Sequence, residues 1–174
     1  MFNTYHQGGY LIWRLWPQLK VFIDGRALNE GVFYDASRIA FNADNTGGKS
    51  GEDLLKEYGI DIIVMDGFEW GAGLAYYLPA ALADPAQKEW KLVFRDEHNV
   101  IFMRNPPPGL PVLDSVEALA AMEAQCLLYV ARNRPQCAKG MIDIVTRVGD
   151  RARLDKWIEI SRRYPAQPSF VVAQ

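Results

Sequence analysis

Apolar and polar positions over the first 42 residues predict short elements joined by tight turns. Residues 1–5 are typical of an extended segment, and the dense apolar residues 10–16 predict a short helix. The apolar run 20–25, closed by a turn dipeptide, predicts a buried strand. Residues 31–42 carry apolar side chains at helical spacing and predict a helix.

Further along the chain the pattern alternates between helix and strand. Ser50 is a predicted N-cap, with Asp53 completing a capping box and Gly59 ending the helix. The apolar residues 60–65 predict a strand, and residues 70–83 predict a second helix. This alternation is typical of βαβ units with parallel strands and right-handed crossovers.

A hairpin and a proline-rich stretch complete the first domain. Segments 90–95 and 100–104 flank the polar residues 96–99, which predicts an antiparallel hairpin at one edge of a mixed sheet. The prolines of residues 106–113 favour a stiff, extended linker. We therefore predict an α/β domain over residues 1–105, built on a small mixed β-sheet with flanking helices.

The segment 114–164 predicts an antiparallel helical appendage of about three helices, followed by a tail over residues 165–174. Asp114 or Ser115 is the expected N-cap of the first helix, and Asp150 of the third. The helix lengths resemble a single tetratricopeptide repeat, which would need the main domain as its packing partner.

Composition excludes several classes of protein. Hydrophobic residues make up 49% of the 174 residues and aromatic residues 12%, so the chain should fold. With 19 basic and 21 acidic side chains and no basic run, nucleic acid is not an expected partner. No apolar stretch reaches the length that crosses a bilayer, and the residues after Met1 do not predict a signal peptide.

Cys126 and Cys137 cannot form a structural zinc site by themselves, since such sites take four ligands and the only histidines in the sequence are His6 and His98. We expect no metal and no cofactor. Cys126 and Cys137 fall in the first two helices of the appendage, and a disulfide requires Cα atoms within about 7 Å. An oxidising compartment favours that bond, and two buried free thiols are the alternative.

One cluster near the start of the chain is a candidate binding site. Tyr5, His6, Gly8, Gly9 and Tyr10 combine polar aromatic side chains with backbone freedom, as in a sugar-binding or peptide-binding turn. A tight turn with packed aromatic residues is the other interpretation. His6 has the pKa range of a base, yet a histidine with no identified partner is often structural.

Two other segments allow both a functional and a structural interpretation. Asp24 and Arg26 follow the predicted strand at its carboxyl end, where α/β sheets place ligands, or they form a local ion pair. Residues 43–50 differ by one position from a phosphate-binding loop, with Lys49 and Ser50 in place. Such a loop follows a strand, whereas a helix is predicted here, so a solvated loop is the alternative.

Taken in order, five segments resemble the soluble C-terminal domain of bacterial multi-spanning membrane glycosyltransferases of the GT-C class. The segments are residues 3–13, 20–26, 58–61, 90–94 and 100–104. The resemblance implies a periplasmic position, with the membrane-spanning part of a parent chain and a glycan or acceptor peptide as partners. In that class the catalytic carboxylates lie in loops between membrane spans, and this chain lacks those loops.

A more distant similarity is to the catalytic subunit of oligosaccharyltransferases, whose soluble domain begins with a WWDYG motif. The matching stretch here, residues 5–9, has neither the tandem tryptophans nor the aspartate. The resemblance therefore does not imply recognition of an acceptor hydroxyl.

The main functional hypothesis is a non-catalytic soluble domain that shapes glycan or acceptor access. The alternatives are a protein-protein interaction module using residues 114–164 and a small nucleotide-binding protein using Lys49 and Ser50. We expect no catalytic residue in the chain. A pocket where histidine, carboxylate and hydroxyl groups meet within bonding reach would contradict that expectation.

Overall fold

A computed structural model describes residues 1–42, 48–132 and 135–165. Four strands form one sheet: β1 (Phe2–Asn3), β2 (Ile62–Met65), β3 (Lys91–Arg95) and β4 (Val100–Met103). The helices are α1 (Gly8–Leu15), α2 (Glu30–Ala40), α3 (Gly51–Glu57), α4 (Leu78–Leu82), α5 (Glu117–Ala131), α6 (Gln136–Val148) and α7 (Arg151–Arg163). A single 3-10 turn, Tyr5–Gln7, leads from β1 into α1.

The sheet is mixed, and its strands lie in the order β1-β2-β4-β3. β1 pairs parallel to β2, with Phe2 opposite Ile63, and β4 pairs antiparallel to both β2 and β3. The predicted fold class, a small mixed sheet with flanking helices and a three-helix appendage, is confirmed. The predicted hairpin over residues 90–104 is also present.

The starts of two helices were predicted correctly from their capping residues. The Ser50 side chain accepts the Asp53 N–H while the Asp53 carboxylate accepts the Ser50 N–H, so the predicted capping box is confirmed. Asp150 accepts the Arg153 N–H at the start of α7, as expected. The predicted cap of α5 is wrong, because the Asp114 carboxylate accepts the N–H of Val116 and no side chain caps the helix.

The strand predicted over residues 20–25 is absent. The side chain of Asn3 takes the place of a neighbouring strand: its Nδ2 donates to the Ile23 carbonyl at 2.8 Å, and its Oδ1 accepts the Phe22 N–H at 2.8 Å. Ile23 is buried nonetheless. The apolar run therefore predicted burial correctly but not the strand. The side-chain amide of Asn3 forms the hydrogen bonds that a neighbouring strand would otherwise form with this backbone.

The helix predicted over residues 70–83 is also wrong over most of its length. The Glu69 carboxylate accepts the N–H groups of Gly71 and Ala72, which holds the chain in a turn. Gly73 follows at φ 69°, a left-handed conformation that stops helix propagation. Only α4 remains, with Pro79 in its first turn.

The appendage and the α/β part share one buried core. Leu92 and Phe102 from the sheet are fully buried in the same cluster as Met122 and Trp157 from α5 and α7. The linker joins this packing, since the Leu113 N–H donates to the Leu92 carbonyl at 2.8 Å. Sheet and appendage therefore hold each other in a fixed orientation, and that orientation positions the site below.

Cross-links between helices stabilise the appendage. The sulfur atoms of Cys126 in α5 and Cys137 in α6 are bonded, with their Cα atoms 5.5 Å apart. Glu123 in α5 accepts the indole N–H of Trp157 at 2.8 Å and pairs with Arg153, which ties α5 to α7. Among the helices of the described ranges, none is long and apolar enough to span a membrane.

Candidate functional site

A pocket of about 950 Å³ opens between the start of α1, the sheet and α5. The 3-10 turn, the end of β2, the β3–β4 hairpin and one face of α5 all contribute side chains to it. The lining residues are His6, Gln7, Tyr10, Leu11, Val64, Asp66, Trp70, Phe94, Asp96, His98, Asn99, Ile101, Gln125, Leu128, Tyr129 and Arg132.

A carboxylate and a histidine meet on the inner wall of this pocket. Asp66 follows β2 directly and is 3% exposed. Its Oδ2 lies 3.4 Å from His6 Nε2, and its Oδ1 accepts the hydroxyl of Thr4 at 2.9 Å. The parallel pairing of β1 with β2 brings these groups together, because it carries Thr4 and Asp66 off the same end of the sheet.

Burial changes the acidity of this cluster. Desolvation raises the pKa of Asp66 to about 6, although His6 and the Thr4 hydroxyl both favour its charged form. Burial raises the pKa of the Tyr76 phenol, and the charge of the neighbouring Asp66 raises it further. Asp66 is therefore a carboxyl group that exchanges a proton only slightly below neutral pH.

Histidine, carboxylate and hydroxyl groups do meet within bonding distance here, but only His6 and Asp66 line the described pocket. Their arrangement nevertheless limits the chemistry. Thr4 is buried, points its hydrogen at Asp66 and does not line the described pocket, so its oxygen is not presented to a ligand. His6 is partly exposed, and Asp66 lines the pocket although it is nearly buried, so both side chains can form hydrogen bonds with a bound hydroxyl group.

Amide side chains add neutral hydrogen-bonding groups beside this pair. Gln7 Nε2 donates to Asn99 Oδ1 at 2.6 Å. No described residue donates to the buried Oε1 of Gln7. On α5, Gln125 Oε1 accepts the buried N–H of Gly67 at 2.8 Å. Asn99 and Gln125 also line the pocket, so their amide groups are the neutral hydrogen-bonding groups next to the His6–Asp66 pair.

Four aromatic residues also line the pocket. Tyr10, Trp70, Phe94 and Tyr129 contribute large apolar surfaces on different sides of the cavity. The described lining combines these apolar surfaces with a similar extent of polar surface, and concave sites with convergent polar groups are the usual sites for small ligands. The cavity is thus suited to a ligand that has both an apolar face and several hydroxyl groups.

The residues proposed from the first cluster separate into two groups. His6 and Tyr10 line the pocket. Tyr5 lies outside the described lining, and its hydroxyl donates to the Gly25 carbonyl at 2.8 Å. Gly8 packs against the backbone of Ile23 and Asp24, so its small size serves close packing rather than ligand approach. Gly9 is exposed with open space above it.

The second candidate pair is a local surface feature. Arg26 Nη2 lies 2.6 Å from Asp24 Oδ2, and the Arg26 backbone N–H donates to Asp24 Oδ1. These contacts hold the pKa of Asp24 at about 2. Neither side chain lines the described pocket, so the ion-pair interpretation accounts for both residues.

The phosphate-loop candidate falls partly on residues 43–47, which lie outside the described residues. Lys49 forms an ion pair with Glu57 at 2.6 Å, and Ser50 caps α3. The preceding element is the helix α2 rather than a strand. Both side chains therefore have structural roles at the start of α3.

Sequence reasoning missed Asp66, Asn99 and Gln125 as site residues. The available signal was the position of Asp66 directly after an apolar strand, where α/β folds place functional side chains. Asn99 and Gln125 carry no such signal, since each is one polar residue in a hairpin or helix. Within the described ranges, no three His, Cys, Asp or Glu side chains are grouped so that they could hold a metal ion.

Comparison of the chain with protein-family models, curated proteins and solved structures found no match.

Proposed function

We propose that this chain is a non-catalytic, water-exposed domain of a membrane glycosyltransferase-like protein, and that its pocket binds a glycan or glycan acceptor. The pocket of about 950 Å³ beside His6 and Asp66 is the observation that carries the proposal. The ordered resemblance of five segments to the GT-C class soluble domain supports the same assignment.

The chemistry of the pocket wall suits a saccharide. A sugar ring presents an apolar face of C–H groups, which packs on aromatic rings such as Trp70 and Tyr129. Its hydroxyl groups both donate and accept, so they match the amides of Gln7 and Asn99 and the carboxylate of Asp66. A pocket of this volume is within the range that accommodates one or two sugar rings.

The charges in the pocket favour a neutral ligand over a nucleotide. Arg132 is the one lysine or arginine of the described lining, while Asp66 and Asp96 contribute carboxylates. Phosphate recognition relies on clustered cations or on backbone N–H groups at a helix start. The same lining therefore opposes polyphosphate binding and accepts sugar hydroxyls.

The disulfide supports an extracytoplasmic position for the domain. Cys126 and Cys137 are bonded and fully buried. Disulfides persist in oxidising compartments and are rare where thiols are kept reduced. A periplasmic location, with the membrane-spanning part of a parent chain as partner, is consistent with that chemistry.

Isothermal titration calorimetry with a panel of glucose, galactose, mannose, N-acetylglucosamine and their disaccharides tests the proposal. We expect at least one saccharide to bind, and the Trp70→Ala variant to bind it at least about tenfold more weakly, because a stacking surface is lost. The matched control is Tyr34→Ala, which removes an exposed ring on α2 outside the described pocket lining.

The same samples report on turnover. Chromatography after incubation should recover every saccharide unchanged, because Thr4 and His6 contact the two carboxylate oxygens of Asp66 and the described lining has no serine, threonine or cysteine. Hydrolysis or transfer that disappears in Asp66→Asn would contradict the non-catalytic part of the proposal. Equal binding by Trp70→Ala and the unmodified chain would contradict the location of the site.

The other two functions predicted from sequence stay predictions. Partner binding by residues 114–164 is not favoured by a specific contact in the structure. Nucleotide binding through Lys49 and Ser50 is not favoured either, because Lys49 forms an ion pair with Glu57 and Ser50 caps α3.

A further inference from the structure

The exposed side of α1 carries the rings of Tyr10 and Trp13, and a third ring, that of Trp16, follows directly after the last residue of the helix. Tyr10, Trp13 and Trp16 follow one another at intervals of three residues and are 62%, 74% and 61% exposed. The rings of Tyr10 and Trp13 are in contact, with centroids 5.9 Å apart. The opposite side of α1 is buried through Gly8 and Leu11, so the helix is anchored to the fold while its aromatic side faces outward.

Positive charge accompanies these rings. Arg14 lies over the Trp13 ring at 5.5 Å, and Lys20 is exposed shortly after the helix. The first 23 residues contain no aspartate or glutamate, although the chain as a whole has a net charge of -2. The aromatic side of α1 therefore lies in a basic segment of an acidic protein.

From this pattern we propose that the aromatic side of α1, defined by Tyr10, Trp13, Trp16 and the cations Arg14 and Lys20, docks on the surface of an anionic lipid bilayer. Indole and phenol rings prefer the headgroup region, because they are apolar over most of their surface and polar at one edge. Arginine and lysine add attraction to anionic headgroups. Shallow binding of this kind needs one helix side and no spanning segment.

The size of the surface favours a bilayer over a second protein. Three aromatic rings, each about two-thirds exposed, offer roughly 300–500 Å² for burial. A stable protein-protein interface buries about 800 Å² on each partner. A bilayer imposes no such minimum, since it adapts to a single amphipathic helix.

Docking would also orient the pocket. Tyr10 belongs to the aromatic side of α1 and lines the pocket as well. A bilayer held against α1 therefore lies next to the pocket entrance. The inference stands apart from the saccharide proposal, because it concerns a different ligand and two tryptophans outside the described pocket lining.

Vesicle flotation tests the inference with the full chain. Vesicles of phosphatidylcholine alone are compared with an equal mixture of phosphatidylcholine and phosphatidylglycerol. We expect the chain to float with the anionic vesicles and to be released at about 0.5 M salt, where the screening length is about 4 Å. Trp13→Ser/Trp16→Ser should reduce the bound fraction by about tenfold or more, because each indole loses its burial in lipid.

Two further variants separate charge from aromatic burial. Arg14→Ser/Lys20→Ser should remove the preference for anionic vesicles. The control Arg163→Ser/Tyr164→Ser deletes a similar pair, in which Arg163 lies 5.7 Å from the Tyr164 ring at the end of α7, and should float like the unmodified chain. Saccharide binding by Trp13→Ser/Trp16→Ser should be unchanged, which keeps the two proposals distinguishable.

Three results would overturn the inference. One is no flotation of the unmodified chain with anionic vesicles. Another is flotation that Trp13→Ser/Trp16→Ser leaves intact. The third is concentration-dependent self-association in sedimentation that the same variant abolishes without any lipid binding, since that would assign the aromatic side of α1 to a second copy of the chain.

Discussion

His6 Nε2 lies 3.4 Å from the buried Oδ2 of Asp66, although 60 positions separate the two residues in the chain. The contact joins a partly exposed imidazole to a carboxylate that the Thr4 hydroxyl also contacts. It places an imidazole and a carboxylate together in the wall of the pocket where β1 and β2 end side by side. The chemical character of the site depends on this pair.

Asp66→Asn should change how stability depends on pH. Burial raises the folded-state pKa of Asp66 from its ordinary 3.8 to about 6, so the stability that Asp66 contributes is full below pH 3.8 and is lost as pH rises through 6. Asparagine removes that loss and still accepts the Thr4 hydroxyl. We expect the variant to gain up to about 3 kcal/mol relative to the unmodified chain between pH 4 and pH 7.

Urea unfolding at both pH values measures this change. His6 and Glu69 also act on Asp66, so the comparison between the two proteins is made at each pH rather than across pH for one protein. A variant less stable than the unmodified chain at pH 7, with little difference between the two at pH 4, would show that the charged form of Asp66 stabilises the fold.

Gly8 and Gly9 form a matched pair for substitution by alanine. A Cβ added at Gly8 would overlap the Ile23 carbonyl and lie 2.5 Å from Asp24 Cα, whereas one at Gly9 meets open space. We expect Gly8→Ala to cost about 2 kcal/mol or more through overpacking. Gly9→Ala should be neutral or stabilise α1 by up to about 1 kcal/mol.

Thermal unfolding of the two variants distinguishes packing from ligand approach. A role of Gly8 in ligand approach alone predicts that Gly8→Ala keeps its melting temperature and loses saccharide binding. A packing role predicts instead that Gly8→Ala lowers the melting temperature of the chain.

Gln125 connects the appendage to the segment that follows β2, through the backbone of Gly67. Gln125→Met keeps the length of the side chain and removes the acceptor, which leaves the buried Gly67 N–H without its partner at 2.8 Å. We expect a loss of about 1–3 kcal/mol in the free energy of unfolding. Gln136→Met, an exposed position at the start of α6, is the control and should change stability little.

The disulfide should contribute measurably to stability. Cys126 and Cys137 are 11 positions apart, and closing a loop of that size constrains the unfolded chain by about 3 kcal/mol. The double variant Cys126→Ala/Cys137→Ala should lose stability of that order in urea unfolding. Intact-mass measurement without reductant, showing the loss of both thiol hydrogens, checks that the bond is present in the unmodified chain.

Elements with local signals were predictable from sequence, and those decided by distant contacts were not. The capping box at Ser50 and the cap at Asp150 use side chains within three residues, so their patterns are visible in the sequence. The segment 20–25 is different, because Asn3, nearly 20 residues earlier, satisfies its backbone. No periodicity within the segment reports that contact.

The site was predictable only in part for the same reason. His6 and Tyr10 stand out as polar aromatic residues beside glycines. Asp66 joins them only because β1 pairs with β2 in one register, and β1 is two residues long, too short to show an alternating pattern. Asn99 and Gln125 reach the pocket through the hairpin and α5, whose placement depends on the whole core.

The claim that the pocket binds a saccharide is tested most directly by two-dimensional NMR of the labelled chain during titration with the saccharide panel. The account predicts that one or more members shift the side-chain amides of Gln7 and Asn99 and the indole signal of Trp70, while the buried indole of Trp157 stays unchanged. Saccharides that leave the Gln7, Asn99 and Trp70 signals in place at every concentration, or that shift only residues outside the pocket, would contradict it.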